Sequence, residues 1–153
     1  MTSLSCKVIS ALQGKSLVTA ESCTGGGIGA ALTAVPGSSA VFKGGIISYT
    51  NQVKSSVLGV SREVLEQYGA VSQPVAEAMA SGARTLLEAD IAVSVTGLAG
   101  PDGDDFGNPV GTVYIGYCSA VKGEVRKFLF EGNRESIRQQ AVDAALQMIL
   151  DNL

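Results

Sequence analysis

The sequence predicts an α/β domain: a three-layer α/β/α sandwich with helices on both faces of a mixed, mainly parallel sheet that ends in an antiparallel hairpin. Three observations predict it. Segments of helical and strand period alternate along most of the chain. "DIAVSV" (90–95) is an uninterrupted apolar strand of the kind covered on both faces. Two further strands, "GTVYIGYCS" and "EVRKFLF", flank a Lys-Gly turn and read as a hairpin. With 153 residues, 46% of them hydrophobic, the chain is expected to fold as a single domain spanning 1–153.

Each element has its own signal. Ser5 to Leu12 is weakly amphipathic and ends at Gly14, which predicts a short helix. "SLVTA" (16–20) is short and β-branched, and the glycines after it introduce a small-residue helix running to about Val35, stopped by Pro36 and Gly37. Val41 to Thr50 reads as a second strand, with Gly44 and Gly45 marking a bulge or a close backbone approach. Thr50 or Asn51 can cap the next helix, and Ser61 another short one ending at Gly69. Pro74 stands in the first turn of a longer helix, where Val75, Ala78, Met79, Gly82, Ala83 and Leu86 form the expected buried stripe against the sheet. Asn133 can cap the last helix, which buries Ile137, Ala141, Ala144, Ala145 and Met148.

Composition excludes several function classes. A formal net charge of −3 gives no basic footprint for nucleic acid. No apolar run approaches the roughly 20 residues of a membrane span, and no signal segment is recognisable, so a cytoplasmic protein away from membranes is expected. Three cysteines without C-x-x-C spacing read as reduced thiols. Histidine is absent altogether, which removes the usual proton shuttle and the usual transition-metal ligand; no metal site is expected.

The chemistry concentrates in "TAESCTGGGIGAAL" (19–32). Gly25, Gly27 and Ala30 match a loose dinucleotide pattern, but no acidic residue follows the next strand to hold a ribose, and no G-K-[ST] is present. What remains is a helix start at Thr24, Gly25 and Gly26 whose N–H groups favour an anion or a developing oxyanion. Ser22 is either the N-cap of that helix or a nucleophile, Thr24 could cap equally well, and Cys23 is the rival nucleophile. Without histidine the base for a serine must be lysine, a carboxylate or tyrosine. Lys54 stands out because it follows the second strand inside the first turn of a helix, where dipole and burial both favour the neutral amine; the alternative is an ordinary exposed lysine.

Thr96 and Gly97 follow the third strand and, if that strand is parallel to the first, emerge on the same edge as Ser22, as turn residues or as oxyanion donors. Asp102, Asp104 and Asp105 echo a calcium loop but lack its later ligands, and calcium is rejected. Arg134 and Arg138 lie one turn apart near the start of the last helix, where cations oppose the dipole. Either Glu131 or Glu135 compensates them, or an anionic substrate group does.

The blocks "AESCTGG", "YTNQVK", "GAVSQPVAEAMA", "VTGLAGPDG", "PVGTVYIG" and "NRESIRQQA" together resemble the CinA C-terminal domain family, the nicotinamide-nucleotide amidases, over nearly the whole chain. The resemblance implies a three-layer α/β/α fold, a homodimer, no cofactor, and hydrolysis of the carboxamide of nicotinamide mononucleotide to nicotinic acid mononucleotide and ammonia. It places the family's catalytic serine at Ser22 and its catalytic lysine at Lys54. Tyr49, Asn51, Thr96, Gly97 and Arg134 or Arg138 follow as substrate-binding positions. Larger CinA proteins carry a further N-terminal domain, and only the amidase part is expected here. The competing expectation is a nucleotide-binding or interaction module of the same type without catalysis.

Overall fold

The structure, a computed structural model, describes residues 3–153. In chain order the elements are α1 (Leu4–Ala11), β1 (Leu17–Glu21), α2 (Gly27–Thr33), β2 (Phe42–Ile47), α3 (Asn51–Ser56), α4 (Arg62–Tyr68), α5 (Gln73–Leu86), β3 (Ile91–Gly97), β4 (Thr112–Ser119), β5 (Gly123–Leu129) and α6 (Arg134–Asp151), with a 3₁₀ turn at Ser38–Ala40 before β2. The five strands form one sheet in the order β2-β1-β3-β4-β5. β1 runs parallel to both β2 and β3, whereas β4 and β5 extend the sheet antiparallel as the Lys-Gly hairpin. One core joins α1, α2 and α6 to one face of the sheet through residues such as Leu17, Val93, Ile115 and Ile149. A smaller one joins α4 and α5 to the other face through Val18, Ala92, Val75 and Met79. That is the three-layer arrangement expected of strands with no solvent face, and β1 is buried at every position.

Gly44 and Gly45 behave as their position predicts. The register steps from Leu17↔Phe42 to Val18↔Gly44, leaving Lys43 as the extra residue of a bulge. A Cβ on Gly45 would stand 2.1 Å from Thr19 Oγ1, so only glycine allows β2 to lie this close to β1.

The stripe expected on α5 needs correction. Val75, Met79 and Ala83 are buried, but so are Ala76 and Ala80, whereas Leu86 is half exposed at the end of the helix. Gly82 does not face the sheet: its Cα lies against the backbone of Leu58, whose carbonyl oxygen would be 2.0 Å from an added Cβ. The close helix–sheet contact is made at Ala76, whose carbonyl accepts from Ser94 Oγ at 2.6 Å and lies where a Cβ of Gly116 would have to go. Among the described residues no helix is long and apolar enough to cross a membrane.

Candidate active site

Parallel pairing of β1 with β2 and β3 delivers three chain segments to one sheet edge. Glu21 pairs with Val95 and with Ile47, so the residues after each strand meet. Ser22 N donates to Val95 O at 3.0 Å, which sets Ser22 beside Thr96 and Gly97. Ser48 N donates to Glu21 O at 2.7 Å and ties in the segment that leads to α3. Thr50 caps α3 by accepting from Val53 N, and the reversed chain carries Lys54 back over the end of β1.

Lys54 is buried, with 1% of its surface exposed. Its Nζ stands 2.9 Å from Ser22 Oγ, 2.7 Å from Ser48 O and 3.4 Å from Tyr49 O. An uncharged amine has two N–H groups and one lone pair; with the two carbonyls taking the N–H groups, the lone pair is left for the Ser22 hydroxyl proton. Burial lowers the pKa of Lys54 from 10.5 to about 8. About a tenth of it is then uncharged at pH 7, against roughly 0.03% for an ordinary lysine. Lys54 stands in the last turn of the short α3 and not in its first, so the expected opposition of the helix dipole does not apply; desolvation is the leading cause of the shift, and the exposed-lysine reading is excluded. The same surroundings act oppositely on Cys23, whose thiol is pushed up to about 11 by burial and stays protonated near neutrality.

Neither Ser22 nor Thr24 caps α2. Gly26 is at the N-cap with φ 99°, and the cap itself comes from further back. The Glu21 carboxylate, 2% exposed, accepts from Ile28 N at 2.9 Å, Gly29 N at 3.0 Å and Thr24 Oγ1 at 2.7 Å. The positive end of α2 is thus filled by the chain's own anion and is not an open anion site. The sequence motifs do not single out Glu21; its one local signal is that an acid closes an apolar strand just ahead of a helix, where a buried charge must find donors.

A cavity of about 260 Å³ opens over the Ser22–Lys54 contact. Of the residues singled out in the sequence, Ser22, Cys23, Tyr49, Asn51, Lys54, Thr96, Gly97 and Arg134 line it. Ala70, Val71, Leu98, Ala99, Gly100 and Asp102 complete the wall; they fall within the "GAVSQPVAEAMA" and "VTGLAGPDG" blocks, but none is assigned a place in the site from the sequence. Thr96 spends its hydroxyl on Ala70 O at 2.8 Å, fixing the wall, and Gly97 admits β4, since a Cβ would meet Val113 at 2.6 Å. Thr24, Gly25, Gly26 and Arg138 are not in the lining. A larger cavity of about 390 Å³ between α3 and α4 shares Asn51 but contains neither the hydroxyl nor the buried amine.

The two arginines part company. Arg134 stands at the cavity rim, donating to Gly100 O at 2.6 Å and Tyr49 OH at 3.1 Å. Arg138 reaches under the turn after β1, donating to Cys23 O at 2.9 Å and Thr24 O at 3.2 Å. Neither pairs with Glu131 or Glu135; among the described residues the ion pairs are those of Arg126 with Glu124 and Asp151. Asp104 is engaged within its own loop, accepting from Phe106 N and Asn108 N, and among the described residues no His, Cys, Asp and Glu side chains gather in a metal-binding group.

The sequence matches the family described as CinA C-terminal domain over residues 1–153. The nicotinamide-nucleotide amidohydrolase PncC of Escherichia coli K12 is 45% identical over 138 residues, covering 90% of this chain and 84% of that protein. A CinA-like protein of Endomicrobium trichonymphae is 47% identical over 135 residues. The chain spans about a third of the length of that relative and of others like it, 32% in each case. Among solved structures, the competence damage-inducible protein A (ComA) of Klebsiella pneumoniae superimposes with a TM-score of 0.94 at 37% identity, covering 97% of this chain and 93% of that one. The competence/damage inducible protein CihA of Agrobacterium tumefaciens gives 0.94 at 39% identity, covering 97% and 92%.

Proposed function

Because this chain belongs to the CinA C-terminal domain family, we propose that it is an amidohydrolase converting nicotinamide mononucleotide to nicotinic acid mononucleotide and ammonia through Ser22 and Lys54. The observation that carries the proposal is the 2.9 Å approach of a buried, pKa-lowered amine to a serine hydroxyl inside a cavity. The relative named for this reaction, at 45% identity, supports the substrate.

Ser22 Oγ attacks the carboxamide carbon while Lys54 Nζ takes its proton, forming the C–O bond and a tetrahedral oxyanion. Gly25 and Gly27 N–H already donate to Ser22 O and Thr24 O, and those of Ile28 and Gly29 to Glu21; of the N–H groups that remain in this turn, that of Cys23 belongs to a residue lining the cavity, and we assign it to the oxyanion. Collapse breaks the C–N bond as the Lys54 ammonium protonates the leaving NH₂ nitrogen, which departs as ammonia and returns the amine to its neutral form. Water then attacks the acyl-enzyme, giving its proton to Nζ, and Ser22 leaves with that proton as the acid is released. Tyr49, Asn51, Thr96 and Gly97 shape the cavity around the pyridine nucleotide. We propose that it acts as a homodimer, on the strength of the same family resemblance, and in the cytoplasm, where its unpaired cysteines stay reduced.

Among the described residues Arg134 takes part in no ion pair, and we assign this cation at the cavity mouth to the 5′-phosphate. Arg134→Gln is expected to raise KM for the nucleotide about tenfold with kcat little changed, as steady-state ammonia release will show. Cys23→Ala is expected to keep activity within about threefold, because a thiol held protonated is a poor nucleophile. Loss of turnover in that variant would move the chemistry to sulfur. The direct test of the function is ammonia release from nicotinamide mononucleotide by the purified protein.

A further inference from the structure

The turn that carries Ser22 is gripped from two sides by groups of opposite charge that do not pair with each other. From below, the Glu21 carboxylate accepts from Thr24 Oγ1, Ile28 N and Gly29 N and so fixes the exit of the turn into α2. From α6, more than a hundred residues away in sequence, Arg138 draws Cys23 O and Thr24 O onto its guanidinium. Both peptides are trans, and a trans peptide points its N–H opposite to its C=O. Holding those two carbonyls toward α6 therefore turns the N–H groups of Thr24 and Gly25 away from it. Gly25 N–H then closes the turn on Ser22 O at 3.0 Å, which holds the Ser22 and Cys23 peptides against the cavity.

Arg138 is half-buried, absent from the cavity lining, and has both of the donors it uses committed to carbonyls; its neighbour one helical turn back lines the cavity instead. We propose that Arg138 and Glu21 are positioning residues that together set the Ser22 turn, acting on turnover and not on recognition of the nucleotide phosphate. The inference rests on the reading of Ser22 as nucleophile given above.

Two readouts test it: steady-state ammonia release from nicotinamide mononucleotide and from its phosphate-free nucleoside, nicotinamide riboside, and the rate at which a fluorophosphonate labels Ser22. Arg138→Gln is expected to lower kcat on the order of 10- to 100-fold, with KM within about threefold and the same factor for nucleotide and nucleoside. Ser22 labelling slows in parallel. Arg138→Lys, which keeps the charge but offers no fork for two carbonyls, recovers only part of kcat. Glu21→Gln behaves like Arg138→Gln, and the double variant loses no more than about the worse single one, because both act on one turn. A KM increase confined to the nucleotide, with labelling at the wild-type rate, would overturn the proposal by making Arg138 a phosphate ligand. If Arg138→Gln does not fold, Arg138→Lys with a native melting curve decides by the same split. Wild-type protein that releases no ammonia from the nucleotide yet labels at Ser22 would refute the proposed substrate, and the labelling rates of the variants would still judge the clamp.

Discussion

Ser22→Ala is expected to reduce ammonia release from nicotinamide mononucleotide on the order of 10⁴-fold or more while the nucleotide still binds. The size of the loss follows from covalent catalysis, since without Oγ no acyl-enzyme forms and the buried amine is left facing a methyl group. Fold and affinity should survive, because the hydroxyl caps nothing: Gly26 is at the N-cap of α2 and the carboxylate of Glu21 satisfies its N–H groups. Binding of the nucleotide by calorimetry beside the activity assay separates this outcome from a passive binding module. Undiminished turnover in the variant would remove Ser22 from the chemistry.

The second large effect belongs to Lys54. Its neutral form is the base, and a folded pKa near 8 makes kcat/KM climb about tenfold per pH unit below that value and level off above it. Lys54→Arg keeps a cation that never deprotonates in this range and is expected to lose at least 1,000-fold at every pH from 6 to 9. Stability carries a linked signature. The folded state lowers this pKa from 10.5, so the unfolded chain holds the proton more tightly between about 8 and 10.5, and stability rises with pH across that window. Relative to Lys54→Met, wild type should gain on the order of 3 kcal/mol between pH 7 and pH 10.5 in denaturant melts. A pH-independent difference would mean that the lysine is not desolvated.

Much of this arrangement is legible in the chain. A strand ending in glycines, a second ending at a capping threonine, and a third uninterrupted apolar strand are enough to send Ser22, Lys54 and Thr96 to one edge, because parallel strands share their C-terminal side. The absence of histidine narrows the base to few candidates, and Lys54 is the lysine that the short helix after the second strand carries back over β1.

What escapes local reading depends on side-chain reach between distant elements. The pattern places Arg134 and Arg138 on the same helix face, yet one ends at the cavity rim and the other beneath the turn, a difference made by where α6 packs against α2. Glu21 reads locally as the last residue of a strand, and only tertiary packing shows its carboxylate folding forward onto α2. Leu86 fits the helical period of its neighbours but lies past the edge of what α5 covers, so the period alone cannot bury it.

Acid quenching during steady-state turnover of nicotinamide mononucleotide, followed by peptide mass mapping, tests the central claim most directly. The nicotinyl nucleotide is expected as an ester on the peptide that contains residues 16–43, localised by fragmentation to Ser22, and absent in Ser22→Ala. An acyl group on Cys23, or a protein that turns over fully without ever carrying one, would contradict a serine nucleophile served by the Lys54 amine.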